Sequence, residues 1–296
     1  MWEKIALSLV TCCFKAIAIL PYRVLYILSD LLYPVVYYLV KYRRKVVRKN
    51  LVNSFPEKSI DEIVAIEKKF YRHFCNYFVE TIKLLHISDD EMRRRLEFVN
   101  VEVLDKLSQD GKPVFLYLGH QGNWEYVTSI MLWLTGDMVG CQVYHPLSNK
   151  VMDKFFLRLR SRFNTLSVSQ KQTLRLVLTL LKEGKQPILG LIADQRPRRK
   201  FATTWMRFLN QPTPLITGGE TMGERIGAHY VYGSMSCVKR GYYRMTIQQI
   251  EPIEGEEFSY VKQYMRMLEK DIQREPHLWL WTHKRWKFHY DKEDLL

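Results

Sequence analysis

Val114-Phe115-Leu116-Tyr117-Leu118-Gly119-His120-Gln121-Gly122-Asn123-Trp124-Glu125 decides how this chain is read. Its first five residues are a continuous apolar run, which suits a strand covered on both faces. Gly119 and Gly122 then make a tight turn feasible. On an ideal helix, residues five apart lie about 140° out of line. His120 and Glu125 therefore meet only if the histidine is in the turn and the glutamate in the first turns of a following helix. Such a turn sets an imidazole and a carboxylate at the carboxyl end of a strand, the edge where open α/β sheets bind ligands.

Beyond Glu125 the chain stays apolar to Thr135, which predicts a helix packing back on the sheet, and residues 139–143 predict a second strand. Val151, Met152, Phe155, Phe156, Leu159 and Phe163 fall in one arc of a helical wheel. Arg158 and Arg162 sit a turn apart at one edge of that arc, with Arg160 nearly opposite. The pattern fits equally a phosphate clamp and a solvated basic face. A helix over 174–182 stops at Gly184. The apolar run 187–193 then delivers Asp194-Gln195-Arg196. Two parallel strands joined by a helical crossover bring that tripeptide to the same sheet edge as His120. After residues 205–210 a proline-rich loop is expected at Pro212 and Pro214, and then a helix toward Gly227. Strands are expected over 230–237 and 242–250, and a helix over 256–274. The fold class is α/β: a central, mostly parallel twisted sheet flanked by helices, with an N-terminal membrane-anchoring helical segment.

Residues 5–40 are the greasiest part, interrupted by Lys15, Arg23, Asp30, Pro21 and Pro34. Neither uncharged run reaches the ~18–20 residues of a standard membrane span, and no small-residue cleavage site marks a signal peptide. Residues 41–49 carry six basic side chains in nine. An apolar segment abutting such a cluster fits a cytoplasmic membrane surface better than a nucleic-acid patch. The chain divides into an anchor with basic flank at 1–49 and a catalytic domain at 50–296. Ser59-Ile60-Asp61-Glu62 reads as a capping box opening a helix whose apolar face is Ile63, Ile66, Phe70, Phe74 and Tyr77. His73 and Glu80 on that helix are expected to be structural or solvated rather than catalytic.

Lys and Arg total 45 against 31 Asp and Glu, a formal charge of +14, which calls for an anionic partner. Eighteen Tyr and seven Trp suit a boundary with one greasy and one wet side. The five cysteines form no C-x-x-C and no paired Cys/His spacing, so reduced thiols and no metal site are expected. The turn contains no Ser or Cys and the chain no G-x-S-x-G, which disfavours a serine-type hydrolase. A histidine beside a carboxylate suits a general base that activates a hydroxyl for direct attack on an acyl group.

His120-Gln121-Gly122-Asn123-Trp124-Glu125 resembles the H-x4-D/E block of the lysophospholipid acyltransferases, in the form typical of the bacterial lipid A late acyltransferases. The resemblance extends through Asn50-Leu51, Phe55-Pro56-Glu57, Glu80-Thr81-Ile82-Lys83, residues 158–162, Ala193-Asp194-Gln195, Thr217-Gly218 and residues 279–286. It implies an O-acyltransferase on the cytoplasmic face of a bacterial inner membrane. Such an enzyme moves a fatty acyl chain from an acyl carrier protein or acyl-CoA to a hydroxyl of an anionic lipid A precursor. By that resemblance His120 is the base and Glu125 its orienting partner. Arg158 and Arg162 contact phosphate or oxyanion, and Asp194, Gln195 and Arg196 line the acceptor site with Gly122 and Asn123. Backbone N–H groups near Gly122 or a nearby arginine are expected to hold the oxyanion. No cofactor, metal or nucleic acid is implied. Asp194-Gln195-Arg196 stands where glycerol-phosphate acyltransferases carry a Glu-Gly pair, which sides with the lipid A group. The competing readings are an acyltransferase for another lysolipid or glycolipid, such as an aminolipid or phosphoinositol mannoside, and a non-catalytic membrane protein that binds lipid or nucleic acid.

Overall fold

The computed structural model describes residues 2–288. The chain begins with α1 (Trp2–Ile19) and α2 (Tyr22–Pro34), the latter prolonged by a π-helical turn (Val35–Leu39), then α3 (Arg44–Ser54) and α4 (Ile60–Lys83). Next come α5 (Asp89–Arg95), β1 (Leu96–Val99), α6 (Glu102–Ser108) and β2 (Val114–Leu118), the strand of the decisive stretch. A 3-10 helix (Trp124–Leu132) leads to β3 (Met138–Tyr144), α7 (Lys150–Arg160), β4 (Leu166–Ser169), α8 (Thr173–Lys182) and β5 (Gln186–Ile192). A hairpin of β6 (Trp205–Phe208) and β7 (Gln211–Pro214) precedes α9 (Gly218–Ile226), β8 (His229–Lys239), β9 (Tyr242–Gln249) and α10 (Ser259–Arg274).

The main sheet has seven strands in the order β1-β9-β8-β2-β5-β3-β4. All its pairings are parallel except β8 with β9. The expected mostly parallel, helix-flanked sheet is therefore present. β2 lies inside the sheet, and every one of its five residues is buried. Phe115 and Tyr117 join the core on one face, whereas Val114, Leu116 and Leu118 join the core on the other. That two-sided burial is why the run has no polar alternation. Truncating Phe115 to Ala would cost about 3–5 kcal/mol at such a site.

α4 starts where the capping box predicts. Ser59 Oγ accepts from Glu62 N at 3.3 Å, and Glu62 Oε2 accepts from Ser59 N at 2.8 Å. Ile63, Phe70, Phe74 and Tyr77 are buried along it, but so are Glu67, His73 and Glu80. The proline-rich segment expected as loop instead forms β7, paired with β6 as a hairpin. Leu209 and Asn210 take positive φ at 48° and 62°, which matches the hand of a two-residue hairpin turn.

The helices α1 and α2 meet at a bend of 116°, and no single helix among the described residues is long and apolar enough to cross a membrane. Lys83 Nζ holds the bend by donating to the carbonyls of Ala18 and Leu20 at 2.8 and 2.9 Å. α3 runs unbroken across position 49/50 and buries Val47 and Leu51 in the same core as β2. Cys75 and Cys141 are packed inside as expected, whereas Cys12 and Cys13 are exposed; all five thiols are free.

Candidate active site

β2 and β5 are neighbours, with Leu118 opposite Ile192. His120 and Asp194 each lie two residues past that pair, so the sheet register itself brings them together. His120 Nδ1 lies 2.6 Å from Asp194 Oδ1, and the His120 backbone N–H donates to Asp194 Oδ2 at 2.8 Å. A carboxylate only accepts, so the shared proton belongs to Nδ1 and the lone pair to Nε2. Gln195 Nε2 is 3.3 Å from that second ring nitrogen. The imidazole keeps 19% of its side-chain surface open, while Asp194 keeps 1%. Trp124 stands edge-on to the imidazole at 5.1 Å and stacks on Tyr77 at 4.2 Å, forming an aromatic wall.

Burial alone would raise the carboxyl of Asp194. Electrostatic attraction to the His120 ring, the hydrogen bonds from His120 and the Trp279 indole N–H at 2.7 Å outweigh it and hold the group below the usual carboxylate range. The segment bearing Trp279 is pinned to the turn. Gln121 bridges Trp279 in antiparallel fashion, Gly122 N donates to Leu278 O at 3.0 Å, and Leu280 N donates to His120 O at 3.0 Å. Asn50 Nδ2 in turn donates to the carbonyls of Trp281 and His283 at 2.9 and 3.0 Å. Arg285, with no exposed surface, donates to Pro214 O at 2.6 Å; burial pushes its guanidinium down to about 10. His283, pushed down to about 4 by burial and by Arg285, accepts from Arg196 N at 3.4 Å.

The turn needs both its glycines. A Cβ on Gly119 would come within 2.5 Å of Leu268 Cδ1, and one on Gly122 within 2.5 Å of Met235 Sδ, where φ is also +60°. From below, His73 Nε2 meets Gly122 O at 3.1 Å and Glu80 Oε2 accepts from Asn123 Nδ2 at 3.0 Å. Glu80, with no exposed surface, also accepts from Tyr26 and Tyr243, and burial raises its carboxyl. Burial pushes the His73 imidazole down to about 4.

Several expected placements need correcting. The segment after Asn123 is a 3-10 helix rather than an α-helix. Glu125 reaches away from the imidazole into a two-point pair with Arg160, at 2.8 and 2.6 Å; the carboxylate on His120 is Asp194. Arg160, the arginine set aside by the wheel, is thus the one joined to the motif. The apolar arc of α7 is taken up by α1, with Phe14 against Phe155 at 4.9 Å, which leaves the last residue of α7 beside the 3-10 helix. Arg158 is exposed, and Arg162 ties to the Ile87 carbonyl and lies 3.5 Å from Asp89. The Gly122 N–H is spent on Leu278 and Asn123 has no exposed surface, so neither faces a ligand. Gln195 does stand beside the imidazole, whereas Arg196 donates its backbone N–H to His283 and its Nη1 is buried without a hydrogen bond among the described residues. His73 and Glu80 are structural groups, as expected, but their hold on the turn was not foreseen, nor were the roles of Arg160 and Trp279. The signal available for the first two was their seven-residue spacing, which puts them on the buried face of α4 with Phe70 and Tyr77.

Residues 2–288 match the family described as bacterial lipid A biosynthesis acyltransferase. The chain belongs to this family. Among curated proteins it is 24% identical over 277 residues to the lipid A biosynthesis palmitoleoyltransferase of Escherichia coli (strain K12), covering 90% of this chain and 86% of that one. It is similar to the same extent to the lipid A biosynthesis acyltransferase of Shigella flexneri. The family makes the chain an acyltransferase.

Proposed function

We propose that this acyltransferase moves a fatty acyl chain from a thioester donor, acyl carrier protein or acyl-CoA, to a hydroxyl of a lipid A precursor at the cytoplasmic face of the inner membrane. The observation that carries the reading is the His120–Asp194 pair, with Nε2 open beside Gln195. Nε2 takes the acceptor's hydroxyl proton as the oxygen attacks the thioester carbonyl. Asp194 fixes the tautomer and balances the positive ring that forms. As the tetrahedral intermediate collapses, the C–S bond breaks and the proton passes from Nε2 to the thiolate, giving ester and thiol.

The Gly122 N–H being occupied, the oxyanion donor comes from elsewhere. An acceptor hydroxyl arriving at Nε2 displaces the Gln195 amide, which then donates to the oxyanion, a contact typically worth about 3 kcal/mol. Glu125 acts on the framework by holding Arg160, not on the ring. Incubation of purified protein with an acyl thioester and a lipid A precursor, read by mass spectrometry, tests the proposal. His120→Ala should keep its thermal midpoint and lose at least about 10²-fold in rate. Retention of near-normal transfer would sink it.

A further inference from the structure

We propose that Arg285 is a positioning residue for the base: its buried guanidinium is the fixed counter-charge of Asp194 and opposes uptake of a second proton by the His120–Asp194 pair. This rests on the reading of His120 as the base and deepens it by naming a group on which that base depends. Arg285 has no exposed surface, and no carboxylate pairs with it among the described residues. Its side chain donates from Nη2 to the Pro214 carbonyl at 2.6 Å, while Nε and Nη1 are buried without a partner among the described residues. A buried cation so thinly solvated costs stability, and an apolar side chain of similar size would fill the space without that cost. Cohesion therefore does not account for the charge.

The surroundings do. The segment that carries Arg285 also carries Trp279, whose indole N–H donates to Asp194 Oδ2 at 2.7 Å. Asn50 fixes the carbonyls of Trp281 and His283 between them, and the Trp286 indole N–H is tied to Thr213 Oγ1 at 2.8 Å. Burial pushes the Arg285 guanidinium down, and Asp194 is the charge that opposes this most. His120 faces Asp194 from the turn, Arg196 from the loop after β5, Tyr232 from β8 and Tyr264 from α10; His283 and Arg285 face it from the C-terminal segment. Burial keeps both tyrosines neutral, with Tyr232 Oη on Asp271 and Tyr264 Oη on the Leu118 carbonyl, each at 2.7 Å. Asp271 is itself paired with Arg274 at 2.8 Å. His283, pushed down to about 4, is neutral near pH 7. The charges left facing Asp194 are those of Arg285 and Arg196. Two guanidiniums against one carboxylate leave a positive surplus, which resists a positive ring in the resting enzyme. During transfer the thioester oxygen gains negative charge as the ring gains positive charge. The penalty thus falls on the idle ring rather than on the reacting one.

The test uses the full chain in detergent micelles with ¹³C-labelled histidine rings. The His120 signal is assigned by its loss in His120→Gln and is followed against pH in the wild type, Arg285→Gln, Arg285→Met and Arg285→Lys. Thermal midpoints and the pH profile of kcat/KM for acyl transfer are taken on the same proteins. Gln keeps a donor for the Pro214 carbonyl and Met removes the need for one, so one neutral variant remains if the other fails to fold. The neutral variants should raise the midpoint of ring protonation by about one unit, and the acid limb of kcat/KM should rise with it. Lys keeps the charge and should hold both near the wild-type position. A folded neutral variant with the wild-type midpoint would overturn the proposal. A Lys variant shifted as far as the neutral ones would overturn it too, since the effect would then follow shape rather than charge. A ring midpoint that moves while the kcat/KM limb stays in place would support the Arg285 assignment and count against His120 as the base.

Discussion

Glu125 and Asp194 show how little a residue's type says about its partner. Both are buried carboxylates near one histidine, yet Glu125 closes a two-point pair with Arg160 while Asp194 takes the imidazole. The H-x4-E spacing was legible; which carboxylate meets the ring was not, because that depends on the register of β2 against β5 rather than on distance along the chain. Burial that would lower the Arg160 guanidinium is outweighed by Glu125, so the pair remains ionic. Removing one member of such a pair strands the other charge. Arg160→Ala should therefore lower unfolding free energy by about 3–5 kcal/mol, measured by urea denaturation. A loss below about 1 kcal/mol would show that Glu125 finds water or another partner instead.

Among the elements, β2, β5 and α4 were readable because their patterns are local: two apolar runs without alternation, and one capped helix with a three-four repeat. The 3-10 helix and the β6–β7 hairpin were not. The turn that leads into the first is held by contacts from α4 and the segment at Trp279, and the second by backbone turn geometry at Leu209 and Asn210. α4 supplies a pH test. His73 is buried with its imidazole pushed down to about 4. Below an unfolded value of about 6.5 the unfolded chain binds the proton first. Its contribution is thus full above about pH 6.5, falls as pH drops toward about 4, and levels off below. The size is on the order of 3 kcal/mol. His283 titrates in the same direction, so His73→Gln should flatten the decline in urea midpoint over this window without abolishing it. An identical slope in the variant would contradict the assignment.

At the scale of the molecule, the sheet order puts the ends of β2 and β5 side by side, and the C-terminal segment closes over them through Trp279 and Leu280. The parallel sheet was inferable from the strand pattern. The closure was not, since it joins residues about 160 positions apart through backbone pairing that leaves no periodic trace. The net charge of +14 belongs to this scale as well. If it serves an acidic donor and an anionic acceptor, acyl transfer in detergent micelles should slow as salt rises, because the screening length shrinks from about 30 Å at 0.01 M to about 8 Å at 0.15 M. Rates indifferent to salt would remove the charge from the account of substrate capture.

The central claim is that Asp194, delivered by β5, makes His120 the base. Steady-state acyl transfer by Asp194→Asn, measured beside the wild type with thermal midpoints for both, tests it most directly. The substitution keeps size and shape but removes the charge that holds the Nδ1 proton. A fall in kcat of at least about 10²-fold in a folded protein is the predicted result. Transfer within a few-fold of wild type would contradict it.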